Sequence, residues 1–215
     1  IRGYFDAKPG VRSGAIQFDG FTSYLYREKS DMEMPRTFTV NAWVYLESYP
    51  WFRCPVLDLR ANDKEGLVFG VNQRGQLCAG LGMPNEWAEF GGSRLPLKQW
   101  VMVTLTVEQK ADSRLWIDGE PVGQLAHTPV LRATQQNRLS IGRNAILEEW
   151  WDFQYTVKDH YSFWDGRIDD LCVYDGALSG DRIKALWGSA QPLPRGDSPP
   201  RVLPAGPAGR TEFGA

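Results

Sequence analysis

The sequence predicts an all-β fold, an antiparallel β-sandwich that ends in one short helix. Stretches of β-branched and aromatic residues recur along the chain, the strongest being WVMVTLTV at residues 100–107. The Asp-Gly pair at Asp118 and Gly119 is typical of a tight turn between antiparallel strands. Apolar residues at helical spacing follow Ser179, with Ile183 and Trp187 on one face.

Composition limits the classes of partner. The 215 residues are enough for one sizeable domain, and the proline-rich end predicts a linker. Lys and Arg number 24 against 26 Asp and Glu, mixed along the chain, which argues against a nucleic-acid partner. No run approaches about 18 apolar residues, so we expect no membrane partner. Three cysteines without CxxC spacing predict neither a zinc site nor a disulfide framework: Cys54, Cys78 and Cys172.

The first half of the chain reads as a series of strands. Residues 14–26 alternate apolar and polar residues around Asp19-Gly20, which predicts a hairpin. Residues 35–48 have no plainly solvated face, since Phe38, Val40 and Val44 alternate with Thr39, Asn41 and Trp43, and they predict a strand in the middle of a sheet. Short strands separated by turns follow over residues 56–81 and predict a meander.

The second half continues the pattern. Residues 100–107 predict a strand, and residues 114–122 predict a hairpin with a type I′ turn at Asp118-Gly119. Residues 139–143 predict another strand. The stretch from Phe163 to Trp187 predicts a tight turn at Asp165-Gly166, a buried strand and then the helix.

One carboxylate of this last strand is expected to face the core. Side chains alternate along a strand, so Asp169 and Asp170 point to opposite faces. A buried carboxylate must be hydrogen-bonded, paired or bound to a metal. We therefore predict that Asp169 is a buried structural anchor.

Two connections are unusually aromatic. The loop at residues 48–55 clusters aromatic side chains between prolines, and the connection at residues 144–164 is long for a loop and rich in Trp and Tyr. Such rings either stack on sugar rings or pack against a neighbouring domain. The ligand-binding candidates are Tyr49, Trp51, Trp150, Trp151 and Tyr155.

Evidence for catalysis is weak. Paired carboxylates are what glycoside cleavage needs, and Glu148, Glu149 and Asp152 are the candidates. Adjacent acids are more typical of a solvated loop, so no catalytic residue is assigned. His127 and His160 have no nucleophile or acid at triad-like spacing.

Several motifs resemble the laminin G-like, concanavalin A-like jelly-roll family. Members end with a glycine, an Ile-Asp-acidic run, a tyrosine and Ala-Leu-Ser before a short helix. The resemblance implies that residues 1–190 form a jelly roll and that residues 191–215 are a linker or strap towards a following domain. Ser23 departs from the pattern, because relatives often have an aspartate there. The matching residues are Ala15, Phe18, Asp19, Gly20, Tyr24, Leu25, Phe38, Thr39, Ala42, Trp43, the segment from Trp116 to Gly119, Gly166, Ile168, Asp169, Asp170, Tyr174, Ala177, Leu178, Ser179 and Ile183.

The resemblance also implies a function. It favours a non-catalytic module that binds carbohydrate or braces the catalytic domain of a larger, extracellular or periplasmic, polysaccharide-active enzyme. A catalytic glycoside hydrolase or lyase domain and a protein-adhesion module remain as alternatives. Relatives commonly hold Ca²⁺, which implies a structural calcium site with Asp19, Asp169 and Asp170 as its ligands. The alternative is that these carboxylates are structural and brace turns and strand ends.

Overall fold

The fold is seen in a computed structural model, which describes most of the chain up to the helix. The described part contains 13 strands and one helix. It comprises residues 3, 5–12, 14–27, 35–62, 64–83, 85–131, 138–144 and 162–189. The elements are β1 (Asp6–Pro9), β2 (Gly14–Asp19), β3 (Leu25–Arg27), β4 (Thr37–Leu46), β5 (Cys54–Asp58), β6 (Gly66–Val71), β7 (Gln76–Met83), β8 (Glu86–Arg94), β9 (Trp100–Glu108), β10 (Ser113–Ile117), β11 (Glu120–Leu125), β12 (Leu139–Ile141), β13 (Asp165–Asp175) and α1 (Gly180–Ser189).

The strands form two antiparallel sheets packed face to face. One sheet has the order β1-β2-β13-β4-β9-β10-β11, and the other has the order β3-β12-β5-β6-β7-β8. This arrangement confirms the predicted all-β jelly-roll sandwich. At the β8 and β11 edges the backbones of the two sheets come close, because a Cβ on Gly123 would lie 2.6 Å from the carbonyl oxygen of Gly91.

Strand β4 occupies the middle of its sheet, as predicted from the lack of a solvated face. It pairs with β13 on one side and with β9 on the other. One face, including Phe38 and Val44, packs into the core between the sheets. The opposite face carries Trp43, which packs with Val11 and Ile183 in a second cluster. Helix α1 therefore covers part of the outer face of this sheet.

The meander predicted over residues 56–81 is confirmed as consecutive antiparallel pairs from β5 to β7. Strands β1 and β8 were not anticipated. The β8 sequence EWAEFGGSR has two glycines and two glutamates, and strand propensity is low for such residues. Hydrogen bonds to β7 stabilise β8 as a strand despite this low propensity.

The predicted hairpin at Asp19-Gly20 is wrong. Strands β2 and β3 belong to different sheets, so the chain crosses from one sheet to the other between them. The Asp19 carboxylate accepts hydrogen bonds from the backbone N–H groups of Phe21, Thr22 and Ser23. These bonds shape a wider connection in place of a two-residue turn.

The Asp165-Gly166 turn is wrong as well, whereas the turn at Asp118-Gly119 is confirmed. Gly166 lies inside β13 and pairs with Phe18 on one side and with Leu46 on the other. Asp118 and Gly119 have φ values of 51° and 84°, and Asp118-Gly119 joins β10 directly to β11. Two successive positive φ values are the signature of a type I′ turn.

Strand β13 is not buried along its whole length. Its register with β4 shifts between Asp169 and Cys172, and Asp170 has φ 46°. Pairing with β2 covers Asp165 to Ile168 only, so the later residues have β4 alone as a described neighbour. Cys172 is exposed and Val173 is 42% exposed, contrary to the predicted burial.

Candidate binding site

Connections from both sheets meet at one end of the sandwich, which we call the loop end. It consists of residues 20–24, 47–53, 72–75, 95–99, 142–144 and 162–164. Backbone hydrogen bonds join these connections. The backbone N–H of Gly20 donates to the carbonyl oxygen of Trp164, with an N–O distance of 3.0 Å. In the same way Lys98 donates to Leu46 at 2.7 Å, and Leu95 donates to Gly75 at 2.8 Å.

Trp51 is the most prominent side chain of the loop end. It is 90% exposed, so folding of the described chain does not bury it. Phe21, in the neighbouring connection, is 79% exposed and was missed because a lone phenylalanine beside a turn has no distinctive sequence signal. Two large aromatic side chains are therefore presented to solvent at the same end of the fold, together with Leu97, which is 36% exposed.

Tyr49 has a different role from Trp51. Its hydroxyl donates to the carbonyl oxygen of Leu95 at 2.8 Å, and the Arg94 guanidinium lies 4.1 Å from its ring centroid. The backbone of Gly75 packs so closely on the ring that a Cβ there would lie 2.3 Å from it. Tyr49 thus anchors the loop that carries Trp51.

The long aromatic connection starts and ends at the loop end. Asn144 donates its backbone N–H to the carbonyl oxygen of Ser162 at 3.1 Å, and Arg143 and Phe163 form a β-bridge. The candidates Trp150, Trp151 and Tyr155 lie outside the described residues, as do Glu148, Glu149, Asp152 and His160. The predictions on these residues stay predictions.

A buried ion pair lies beside Asn144, at the start of the long aromatic connection. Arg60 is 1% exposed and binds both carboxylate oxygens of Asp58, with distances of 3.0 Å from Nε and 2.8 Å from Nη2. The same Nη2 donates to Oδ1 of Asn144 at 2.5 Å. A buried guanidinium requires such partners, so this network ties β5 to the start of the aromatic connection.

A third aromatic group lies on β8, outside the loops that the sequence singled out. Trp87 donates its indole N–H to Oε1 of Glu89 at 2.9 Å. Arg53, two residues after Trp51, binds Oε2 of the same glutamate at 2.7 Å. An aromatic ring with a carboxylate and a guanidinium beside it can offer both an apolar surface and hydrogen-bonding groups.

Asp19 is saturated with donors from its own connection. Besides three backbone N–H groups, its carboxylate accepts the hydroxyls of Thr22 and Ser23. Burial by itself raises the pKa of Asp19, but the hydrogen bonds from Thr22, Phe21 and Ser23 outweigh it and hold the pKa well below its usual range. Ser23 is thus part of the brace around Asp19.

Asp169 is buried and hydrogen-bonded, which confirms the predicted anchor. It is 8% exposed, and its Oδ2 accepts the N–H of Val11 at 2.7 Å while its Oδ1 accepts the N–H of Asp170 at 2.9 Å. Burial raises the pKa of Asp169. Asp170 is exposed, and Arg12 Nε lies 3.6 Å from its Oδ2.

These carboxylates do not fit a shared calcium site. Asp19 pairs in register with Asp165, four residues before Asp169, which is a separation of about 13 Å along the strand. Among the described residues, no three His, Cys, Asp or Glu side chains converge as a metal site would require. Calcium therefore stays a prediction from the family resemblance, with no ligand set assembled by Asp19 and Asp169.

The remaining catalytic candidate within the described chain is His127. It is exposed and lies at the opposite end of the sandwich, in the turn where Thr128 exchanges backbone hydrogen bonds with Lys110 and Ala111. It is therefore far from the aromatic groups of the loop end.

Helix α1, the helix of the described chain, is too short and polar to cross a membrane.

Comparison with known proteins identifies the family and the fold. Residues 19–184 match the laminin G profile described as the concanavalin A-like lectin/glucanases superfamily. No protein of curated function matches the chain by sequence. Among solved structures, domain 4 of AbnA, an extracellular arabinanase from Geobacillus stearothermophilus, shares 17% identity with a TM-score of 0.63, covering 88% of this chain and 82% of that one.

Two further structures share the fold. The botulinum neurotoxin serotype C1 binding domain has 14% identity and a TM-score of 0.63, covering 88% of this chain. This chain spans only 46% of that binding domain. A heptameric SAP-like pentraxin from Limulus polyphemus has 18% identity and a TM-score of 0.57, covering 88% of each chain.

Proposed function

The chain belongs to the concanavalin A-like lectin/glucanases superfamily, and from this premise we propose that it is a non-catalytic, carbohydrate-binding module of a larger polysaccharide-active protein. The observation that carries the proposal is the 90% exposure of Trp51 on a loop that Tyr49 holds in place. A large apolar ring that stays exposed adds nothing to the hydrophobic core. It suits a ligand that has a flat apolar face.

Sugar rings have such a face. A pyranose or furanose presents C–H groups on one side, and a tryptophan ring can stack on them while nearby polar groups bind the hydroxyls. Because Tyr49 and the flanking Pro50 restrict the loop before binding, less conformational entropy is lost on association. Phe21 adds apolar surface at the same end.

The neighbours in structure support carbohydrate as the class of ligand. The arabinanase domain was solved with arabinotriose, and entry of botulinum neurotoxin type C into cells is described as dependent on two ganglioside molecules. These ligands belong to those proteins, and at this level of identity the likeness shows the fold alone. The parent protein of this chain, its catalytic partner domain and an extracellular or periplasmic location are parts of the same proposal.

Domain bracing is the second candidate for the same surface. Docking of a neighbouring domain would bury Trp51 and Phe21 equally well, but it needs a contiguous apolar patch of several hundred Å². The described loop end exposes Trp51 and Phe21 strongly and Leu97 at 36%, and the protruding ring of Trp51 favours a small ligand. A catalytic role would depend on Glu148, Glu149 or Asp152 and is tested by sugar release from the isolated domain.

Calorimetric titration of soluble arabinan, xylan and β-glucan tests the proposal. Trp51→Ala should weaken binding by about tenfold or more, because the stacking ring is lost. Its stability should stay within about 0.5 kcal/mol of wild type, since Trp51 is a surface residue. Trp187→Ala, on helix α1 at the outer face of the seven-stranded sheet, is the matched control and should bind as wild type does.

Three outcomes would contradict the proposal. They are a wild-type domain that binds no glycan on a broad array, equal affinity of wild type and Trp51→Ala, and reducing-sugar release by the isolated domain. Self-association of the isolated domain without glycan binding would favour domain bracing.

A further inference from the structure

The outer side of β8 carries a fixed aromatic platform. Trp87 and Glu89 are two residues apart on the strand and so project on the same side, whereas Phe90 points to the core between the sheets. Opposite them in register, on β7, are Gly82 and Gly80. The neighbouring strand thus has no side chain where Trp87 and Glu89 project.

Trp87 lies against this glycine surface. A Cβ on Gly80 would be 2.4 Å from Cζ2 of Trp87 and 3.0 Å from Cη2, so the indole is packed directly on the backbone. Val68 contacts the same spot, since its Cγ1 would be 3.0 Å from that Cβ. Trp87 is nevertheless only half-buried. Because one side of the ring rests on the sheet, its exposed surface belongs to the other side and the edge.

Glu89 is oriented by two donors. The Trp87 indole N–H occupies Oε1 at 2.9 Å, and Arg53 Nη2 occupies Oε2 at 2.7 Å. Strands β6 and β7 lie between β5, which Arg53 precedes, and β8, which carries Glu89. Arg53 therefore reaches across the outer face of the six-stranded sheet, from the Trp51 loop to the platform.

We propose that Trp87, Glu89 and Arg53 form a second sugar subsite, continuous with Trp51, and that the ligand is a neutral oligosaccharide chain. This deepens the proposed function and rests on it. Trp87 supplies the stacking surface, and Glu89, whose side chain is 46% exposed, accepts hydrogen bonds from hydroxyls through its remaining lone pairs. The Arg53 side chain is only 16% exposed and holds the Glu89 carboxylate in place.

The length of the ligand follows from the layout. Trp51 lies at the loop end and Trp87 on the face of the sheet, and Arg53 connects the two places along the chain and through its side chain. One monosaccharide cannot stack on both rings at once. A chain of sugars can occupy both, and simultaneous contacts raise its affinity over that of a monosaccharide.

The charge of the ligand follows from the ion pair. The Arg53 guanidinium already binds Glu89, so the pair has no net charge to attract a carboxylate or a sulfate. A uronic-acid or sulfated chain would place a second anion next to Glu89, which is unfavourable. The subsite therefore selects neutral sugars.

Calorimetric titrations of the wild-type chain with arabinose, arabinotriose, xylotriose, cellotriose and trigalacturonate test the inference. We expect a neutral trisaccharide to bind at least about tenfold more tightly than arabinose, and trigalacturonate to bind more weakly than the neutral trisaccharides. Trp87→Ala and Glu89→Gln should each weaken trisaccharide binding by about tenfold. Trp187→Ala, on α1, should leave it unchanged.

Glu89→Gln decides the matter if Trp87→Ala fails to fold, because this change keeps the side-chain shape while removing the charge. Trisaccharide binding by Trp87→Ala and Glu89→Gln at wild-type affinity overturns the subsite and leaves the proposed function standing. Preference for trigalacturonate overturns the neutral ligand. Absence of any glycan binding by the wild type, on the array as well as in these titrations, overturns the proposed function itself.

Discussion

Two aspartates of this chain have pKa values shifted in opposite directions, because they differ in burial and in the number of N–H groups that donate to them. Asp19 collects hydrogen bonds from three consecutive residues and remains near the surface, and the pKa of its carboxyl is lowered although burial opposes this. Asp169 accepts fewer hydrogen bonds and is more buried, and burial raises its pKa. The two aspartates thus affect stability with opposite dependence on pH.

Asp169→Ala should lower the free energy of unfolding by roughly 1–3 kcal/mol, because the N–H groups of Val11 and Asp170 lose their acceptor. Urea denaturation followed by tryptophan fluorescence measures the change. Asp175→Ala, an exposed position on the same strand, is the control and should stay within about 0.5 kcal/mol. Equal urea midpoints for wild type and Asp169→Ala would show that Asp169 is no anchor.

The pH dependence of Asp169 has a definite sign. A raised pKa means that the folded state keeps the proton longer than the unfolded state does, so this contribution to stability is present at low pH and is lost as pH rises through the folded pKa. Asp169→Asn removes the titration. The stability of wild type relative to Asp169→Asn should therefore fall as pH rises above about 4. Parallel pH profiles of the two proteins would contradict this.

At the scale of the element, β13 depends on one glycine for its place in the sheet. Gly166 lies between β2 and β4 with φ 136°, and a Cβ there would be 1.9 Å from the carbonyl oxygen of Tyr45. No side chain can be accommodated at that distance without moving the β4 backbone. The conformation and the contact act together in excluding any other residue.

Gly166→Ala and Gly176→Ala separate these two effects. Gly176 has φ 116° but nothing within 4 Å of its Cβ position, so its alanine variant should lose only about 1–3 kcal/mol from backbone strain. Gly166→Ala suffers similar strain and the clash with Tyr45, and it should lose more stability or fail to fold. Thermal melts of both variants measure this. A Gly166→Ala melt at or above that of Gly176→Ala would contradict the close approach.

At the scale of the whole molecule, one end and the two outer sheet faces of the sandwich differ in what they expose. The loop end carries the exposed rings of Trp51 and Phe21, and the outer face of the six-stranded sheet carries Trp87. Helix α1 covers the outer face of the other sheet through Ile183 and Trp43. Binding is therefore expected at the loop end and over the six-stranded sheet.

Removal of metal ions tests whether bound calcium stabilises the fold. Asp19 is saturated by its own connection and lies about 13 Å along the strand from Asp169, so we expect EDTA to leave the melting temperature unchanged. Differential scanning calorimetry with EDTA and then with excess Ca²⁺ measures this. A melting temperature that falls with EDTA and recovers with Ca²⁺ would show a calcium site formed by other ligands.

The sequence by itself determined most of the strands, the type I′ turn at Asp118-Gly119, the central position of β4 and the burial of Asp169. These features depend on alternation, turn chemistry and the cost of burying a charge, which act over a few neighbouring residues. The crossing between the sheets after Asp19 and the inclusion of Gly166 in β13 were decided by the tertiary structure. An Asp-Gly pair has the same local preferences in a turn, a crossing or a strand, and the sheet partners choose among them.

The same distinction holds for the candidate site. Clusters of aromatic residues drew attention to Tyr49 and Trp51 alike, but only the packed structure distinguished the braced ring from the exposed one. The group formed by Trp87, Glu89 and Arg53 has no signature in the sequence, because Arg53 and Glu89 are 36 residues apart and two strands lie between them. Their contact depends on the register of four strands, and register is a property of the assembled sheet.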